Sequence, residues 1–329
     1  LTAFDGLVAP LPEELGQKLD PVTAALPVSA SRLAIFARCG FEYFLRHVLK
    51  LEPDPEPEER KRLDPLERGS LFHNVAERFL REKRDGGELP LEDTPAQRRR
   101  LAAMGDEALD ALVASSPPRF TVLWKRERDR FHEGLLRWFV RETGARGSTP
   151  AFFEVTFGPL PASPGEPSFP EPLAIDLGDG RTLRVFGKID RIDRREDGSL
   201  VLRDYKTGKA PKDEGTVFQG GKQLQMSFYA LAAARFFPDA PVMKAFLDYV
   251  DGGREVVFDT ALVQGEGFRS LLRGLVDAIA QGVFVQEPTS CDWCDYTGVC
   301  GPKGLLEKRR DLKRGDRLVK EIVKLRSVR

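Results

Sequence analysis

Three residues stand out for what their spacing could do: Asp190, then Asp204 and Lys206. Residues two apart on a strand project from one face, so a strand carrying Asp204 and Lys206, with Leu200 and Leu202 before them, sets a carboxylate beside an ammonium. If Asp190 joins them, two carboxylates repel unless a cation sits between them. The cation such oxygens favour is hard and divalent, Mg²⁺ or Mn²⁺.

Whether Asp190 does join depends on a turn. The stretch Arg184–Lys206 reads as two strands around Asp197-Gly198, because Val, Ile and Leu alternate with polar residues on either side of a strong hairpin signal. With Asp197-Gly198 alone as the loop, Asp190 falls opposite Tyr205 and points away from Asp204. With a three-residue loop, Glu196-Asp197-Gly198, and Gly198 left-handed, Asp190 comes opposite Asp204. The second register is the expectation.

Asp190 followed by Asp204-Tyr205-Lys206 resembles the PD-(D/E)xK nuclease signature. The longer strings Gly187-Lys188-Ile189-Asp190-Arg191-Ile192-Asp193 and Asp204-Tyr205-Lys206-Thr207-Gly208 are similar to its RecB-like branch. The resemblance implies an α/β fold, a restriction-endonuclease-like central mixed β-sheet flanked by helices. It also implies a Mg²⁺- or Mn²⁺-dependent deoxyribonuclease in which Asp190, Asp204 and the main-chain carbonyl of Tyr205 hold the metal and Lys206 orients or deprotonates the nucleophile.

Other residues follow from the same resemblance. Gly69–Leu80 reads as an amphipathic helix with Phe72, Val75, Ala76 and Phe79 buried. From composition alone His73, at the edge of that stripe, is a structural histidine; the resemblance makes it a metal ligand and catalytic residue, while His47 and His132 stay structural. Glu154, in the strand Phe152–Phe157, reads equally as a strand-edge charge or, by resemblance, as a glutamate near the metal. Gln225 and Tyr229, four apart on a helix beginning near Lys222, resemble the family's Gln-x-x-x-Tyr element, which meets the site and the DNA.

The chain has 329 residues, 41% of them apolar, enough for a packed core in one or two domains. Lys plus Arg equal Asp plus Glu at 51 each, so any basic surface for a nucleic acid must be local. No apolar run of membrane-spanning length and no signal peptide occur, which reads as a soluble, cytoplasmic protein. The first residue is Leu, as expected of a domain cut from something longer. No Walker A pattern is present, so ATP hydrolysis is not expected.

Residues 1–30, with Pro10, Pro12, Pro21 and Pro27, read as an extended lead-in. Ser31 is the candidate cap of a helix carrying Leu33, Phe36, Phe44 and Leu45, interrupted at Cys39-Gly40. Glu52–Pro57 is an acidic connector. Helices are expected over about 93–115 and 119–143, with Arg98-Arg99-Arg100 and Lys125-Arg126 on solvated faces. Six prolines between Pro159 and Pro172 mark a surface excursion before a strand at Leu173–Leu177. Thr207–Gly221 reads as a loop over a phosphate backbone. A hairpin over Met243–Phe258 and a helix with Phe268, Leu271, Leu275 and Ile279 follow.

Three of the four cysteines, Cys291, Cys294 and Cys300, fall within ten residues, and Cys39 lies far upstream. This favours a tetrathiolate metal site, Zn²⁺ or [4Fe-4S] by spacing alone. The arrangement resembles the iron-sulfur staple of AddB-type helicase-nucleases, and of CRISPR-adaptation nucleases of the same branch, which implies [4Fe-4S]. The family commonly has Cys-Pro where this chain has Cys39-Gly40. Residues 303–329 hold eleven Lys or Arg against four acids and read as a basic C-terminal helix, for phosphates, a partner or solvent. The nuclease domain is thus expected over 31–302.

The resulting expectation is a nuclease acting on DNA, exonucleolytically on single strands at DNA ends, in double-strand-break processing with a helicase subunit or domain. Two rivals remain: a non-cleaving iron-sulfur DNA-end-binding module, and a stand-alone CRISPR-adaptation-type nuclease.

Overall fold

The computed structural model describes Gly6 and residues 11–52, 63–115, 120–208, 210 and 218–328. Phe4 and Asp5, the acidic passage beyond Glu52 and most of the loop after Gly208 lie outside the described residues. The span read as an extended lead-in holds a short helix, α1 (Glu13–Leu19), and a two-residue strand, β1 (Val28–Ser29). Ser29, not Ser31, caps α2 (Ala30–Arg38): its Oγ accepts the Arg32 N–H at 3.2 Å. The helix breaks at Cys39, extended at φ −155°, and resumes as α3 (Gly40–Tyr43) and a π-helical turn over Phe44–Val48.

Next come α4 (Pro65–Asp85), α5 (Pro95–Ser115) and α6 (Thr121–Gly144). Their apolar stripes meet through Phe72, Phe79, Leu101, Phe131 and Trp138, in a core that also takes Phe153 and Tyr205 from the sheet. Each such side chain stabilises the fold by roughly 1.5–3 kcal/mol when fully buried.

The strands are β2 (Thr149–Phe157), β3 (Ser168–Phe169), β4 (Leu173–Asp176), β5 (Thr182–Arg194), β6 (Leu200–Lys206), β7 (Val242–Tyr249) and β8 (Arg254–Phe258). Hydrogen bonding orders them β3-β2-β5-β6-β7-β8, while β1 and β4 pair with the first half of β5. The sheet is mixed: β5 and β6 are antiparallel, whereas β6 and β7 are parallel. Parallel neighbours need a crossover, and α7 (Gln225–Phe236) lies within it. With α2 and α8 (Glu266–Ala280), α7 covers the second face, where Phe36, Phe228 and Phe268 join Val155, Ile189 and Leu202.

Two further sequence readings need correction. The proline-rich span is more than a surface excursion: β3 adds a parallel edge to β2, and Glu166 turns inward to accept the Phe153 N–H at 2.9 Å and pair with Arg84 at 2.8 Å. After α9 (Thr297–Cys300), the basic C-terminal helix is two helices, α10 (Lys303–Lys313) and α11 (Arg317–Arg326). They break at Gly315-Asp316, where Asp316 caps α11 by accepting the Leu318 N–H at 2.8 Å. Nor is α11 merely solvated, since Val319 and Ile322 enter the larger core. Among the described residues no helix is long and apolar enough to cross a membrane.

Candidate active site

Between β5 and β6 the chain turns through Glu196, Asp197 and Gly198, with Gly198 at φ 82° and Arg195 N–H donating to Ser199 O at 2.9 Å. The pairs Ile192↔Leu202 and Arg191↔Arg203 follow, so the next rung sets Asp190 against Asp204, the register of the three-residue loop. There the ladder stops, and the Tyr205 N–H points to the Asp190 carboxylate at 3.4 Å. From α4, His73 bridges the same place: Nδ1 lies 3.2 Å from Asp190 Oδ2, and Nε2 2.9 Å from the Tyr205 carbonyl oxygen. The four groups expected to hold a metal are therefore gathered together. Packing fixes them, since the Phe72 ring stands edge-on to the Tyr205 ring with centroids 5.6 Å apart.

Electrostatics decide what this gathering can do. Asp204 is fully buried, and neither carboxylate oxygen receives a hydrogen bond of regular geometry, although Lys206 forms an ion pair with it. Burial and the Asp190 charge push Asp204 up to about 7, against the pull of Lys206 and His73. For Asp190, burial opposes ionisation, but the hydrogen bond and charge of His73 prevail and hold it low. Burial also opposes the imidazolium of His73, and the carboxylates of Asp190 and Asp204 overcome it, taking His73 up to about 9. Protons are drawn to oxygens that a divalent cation would satisfy equally well. Among the described residues no three His, Cys, Asp or Glu side chains form a finished metal shell. The fit rests on the Asp204 carboxylate: fully buried and facing the charge of Asp190, it has the Lys206 ammonium as ion-pair partner for its two oxygens, and a buried charge incompletely compensated costs several kcal/mol.

Gln225 and Tyr229 extend the site along α7. Lys206 Nζ donates to Gln225 Oε1 at 2.8 Å, and Gln225 Nε2 to the Tyr229 hydroxyl at 2.8 Å. Glu154 stands on the rung facing Asp190, between the pairs Phe153↔Arg191 and Val155↔Ile189. Its backbone is left-handed, φ 51°, rare for a residue with a Cβ. The pleat reverses at this rung: Phe153 joins the α4–α6 core while Val155 joins the other. Glu154 forms an ion pair with Lys188. Two clefts, of about 740 and 700 Å³, meet here and share Lys188, Asp190 and Lys206.

Sequence reasoning missed Lys188 and a charged network behind the site. Arg191, 2% exposed, donates to Asp193 at 2.5 and 3.0 Å, to Glu142 at 2.8 Å and to the Tyr205 hydroxyl at 2.6 Å. Arg203 adds a bond to Asp193 at 3.0 Å. This network anchors the tyrosine whose carbonyl faces His73. The nearest signal was the charge alternation Asp190-Arg191-Ile192-Asp193, which contains both partners. His132 lies 3.0 Å from Asp106 and the His47 ring packs on Tyr43, both apart from these groups.

The four cysteines are free thiols. Burial and then the neighbouring charges of Cys39, Cys294 and Cys291 push Cys300 up to about 12, and Cys39 likewise adds to the effect of burial on Cys291 and Cys294. The thiols are near enough to influence one another's charge, but among the described residues no three His, Cys, Asp or Glu side chains are placed to hold a metal ion. Hydrogen bonds already join the segments that carry them. Arg326 donates to Ala37 O at 3.1 Å and to Glu287 at 2.6 Å, Arg310 to Glu287 at 2.6 Å, Arg46 to Asp295 at 2.6 Å, and the Tyr296 hydroxyl to Leu51 O at 2.7 Å.

Residues 27–301 match the family model of the PD-(D/E)XK nuclease superfamily. The chain is 33% identical over 250 residues to a subunit of the ATP-dependent helicase/deoxyribonuclease of Lacticaseibacillus casei, covering 69% of this chain and 20% of that protein. The proteins of the same name from Clostridium tetani and Bacillus mycoides are 27% and 32% identical over 65% and 61% of this chain, and 18% and 17% of their own lengths. The chain therefore spans about a fifth of these relatives. The family match over residues 27–301, on a mixed sheet that brings Asp190, Asp204 and Lys206 together, gives one conclusion: this chain belongs to the PD-(D/E)XK nuclease superfamily.

Proposed function

We propose that this chain is the metal-dependent nuclease part of a DNA helicase-nuclease, cutting phosphodiester bonds of single strands at DNA ends during double-strand-break processing. The observation that carries the reading is the buried, under-bonded Asp204 carboxylate beside Asp190 and Lys206. Asp190, Asp204, the Tyr205 carbonyl and His73 would hold Mg²⁺ or Mn²⁺. Such an ion, when bound, polarises the scissile phosphate and lowers the pKa of its water. Lys206 orients the nucleophile and balances developing negative charge, held in place by Gln225. Gln225 and Tyr229 position the strand, and Glu154 supports the site from β2. The names of the relatives support DNA as substrate and a helicase as partner.

In the same reading Cys39, Cys291, Cys294 and Cys300 would hold a [4Fe-4S] cluster as a structural staple. Their mutual proximity supports this, and four thiolates suit such a cluster. Reduction of the cluster should then leave cleavage unchanged unless stability changes with it.

The test is Mg²⁺-dependent degradation of linear single-stranded DNA, with circular single strands and duplex for comparison. Asp204→Ala should abolish cleavage and retain DNA binding. Metal-dependent cleavage surviving in that variant refutes the site.

A further inference from the structure

A second amine flanks the carboxylates. Lys188 lies two residues before Asp190, as Lys206 lies two after Asp204. Because β5 and β6 are antiparallel, both amines stand at the end of the hairpin remote from its turn. Both line both clefts. Their tethers differ. Lys206 is fixed by Asp204 and by Gln225, whereas the Lys188 side chain, 47% exposed, has the ion pair with Glu154. Glu154 itself is only 14% exposed and is held by its left-handed backbone on the rung facing Asp190. A fixed carboxylate thus keeps an exposed ammonium where the two clefts join.

We propose that Lys188 binds the phosphate adjoining the scissile one, and that Glu154 parks its ammonium there until a strand arrives. The inference deepens the nuclease reading and rests on it. The half-exposed Lys188 side chain leaves the pair open to solvent on the ammonium side, and contact with the polyanion, which releases counterions, offsets the loss of the Glu154 carboxylate. Lys206 is unsuited to this task because Asp204 and Gln225 already hold it beside the reacting group. Lys222 lines the same 740 Å³ cleft as Lys188, as does Arg38, which is paired with Glu42.

The experiment measures binding of a single-stranded oligonucleotide to Asp204→Ala protein across a salt series, alone and combined with Lys188→Gln, Lys188→Arg or Glu154→Gln. The Lys188 variants are also assayed for kcat and KM with Asp204 intact. Lys188→Gln should raise KM about tenfold, the scale of one charge-assisted hydrogen bond, with kcat little changed. It should also lower the slope of log affinity against log salt by ~0.7, one phosphate contact on a single strand. Lys188→Arg should restore both, and Glu154→Gln should tighten binding. An unchanged salt slope in Lys188→Gln, or a fall in kcat at constant KM, overturns the phosphate contact; weaker binding in Glu154→Gln overturns the parking role. Cleavage surviving in Asp204→Ala alone would instead overturn the nuclease reading.

Discussion

One hairpin brings Asp190 and Asp204 together, whereas Cys39 and Cys300, whose charges influence one another, come from opposite ends of the described fold. The carboxylates are buried charges in mutual repulsion, with Asp204 pushed up to about 7. The thiols are raised toward their neutral form by burial and by one another, and Arg326 and its companions stitch their flanks. The geometry of the first region is supplied by the sheet, whereas that of the second depends on contacts between distant segments. On the proposed reading, the difference predicts where loss of an ion would be felt: in rate at the first, in stability at the second.

Four substitutions can break or sharpen that contrast. Asp204→Asn should remove about two to three orders of magnitude of cleavage, the scale of losing one charge-stabilising group. Its Tm should not fall, because the repulsion with Asp190 leaves with the charge; a large fall would make the carboxylates part of the scaffold. Cys300→Ser should abolish absorbance near 400 nm in protein purified without oxygen, and should lower stability to denaturant by up to about 5 kcal/mol, the chain-closure value for a crosslink of this span. Full stability without iron would leave the hydrogen-bonded stitching sufficient by itself. Arg326→Ala should cost about 2–3 kcal/mol in the same denaturation assay, since Glu287 keeps Arg310 but loses one buried partner. Its iron content should fall in parallel, and normal loading would separate the two devices. Tyr229→Phe should slow cleavage by about fivefold, one neutral hydrogen bond, with Tm unchanged; no change in rate would remove Tyr229 from the strand's path.

Legibility in the sequence follows the range of the contacts. The turn at Gly198 was readable because its conformation and the strand alternation are local, and together they determine which side Asp190 faces. Gln225 and Tyr229 were readable through helical spacing. The reversed pleat at Glu154 was not, because a left-handed glutamate violates the rule that periodicity assumes. Ser29 and Ser31 both satisfy cap chemistry, and only the start of β1 pairing distinguishes them. Glu166 hid among prolines because its partners, Arg84 and the Phe153 N–H, come from α4 and β2. The basic count of 303–329 was correct as a composition, but it could not reveal that Arg326 is directed inward at Ala37 and Glu287.

The Arg326 contact has a consequence for the order of assembly. Its partner Ala37 is 289 positions away, so the contact closes nearly the longest loop the described fold contains. The hairpin of β5 and β6 and the helix carrying Gln225 have all their residues available long before that point in synthesis. A chain emerging from the ribosome therefore presents every residue of its acidic pocket before Arg326, the fastener of the segment around Cys39, has been made.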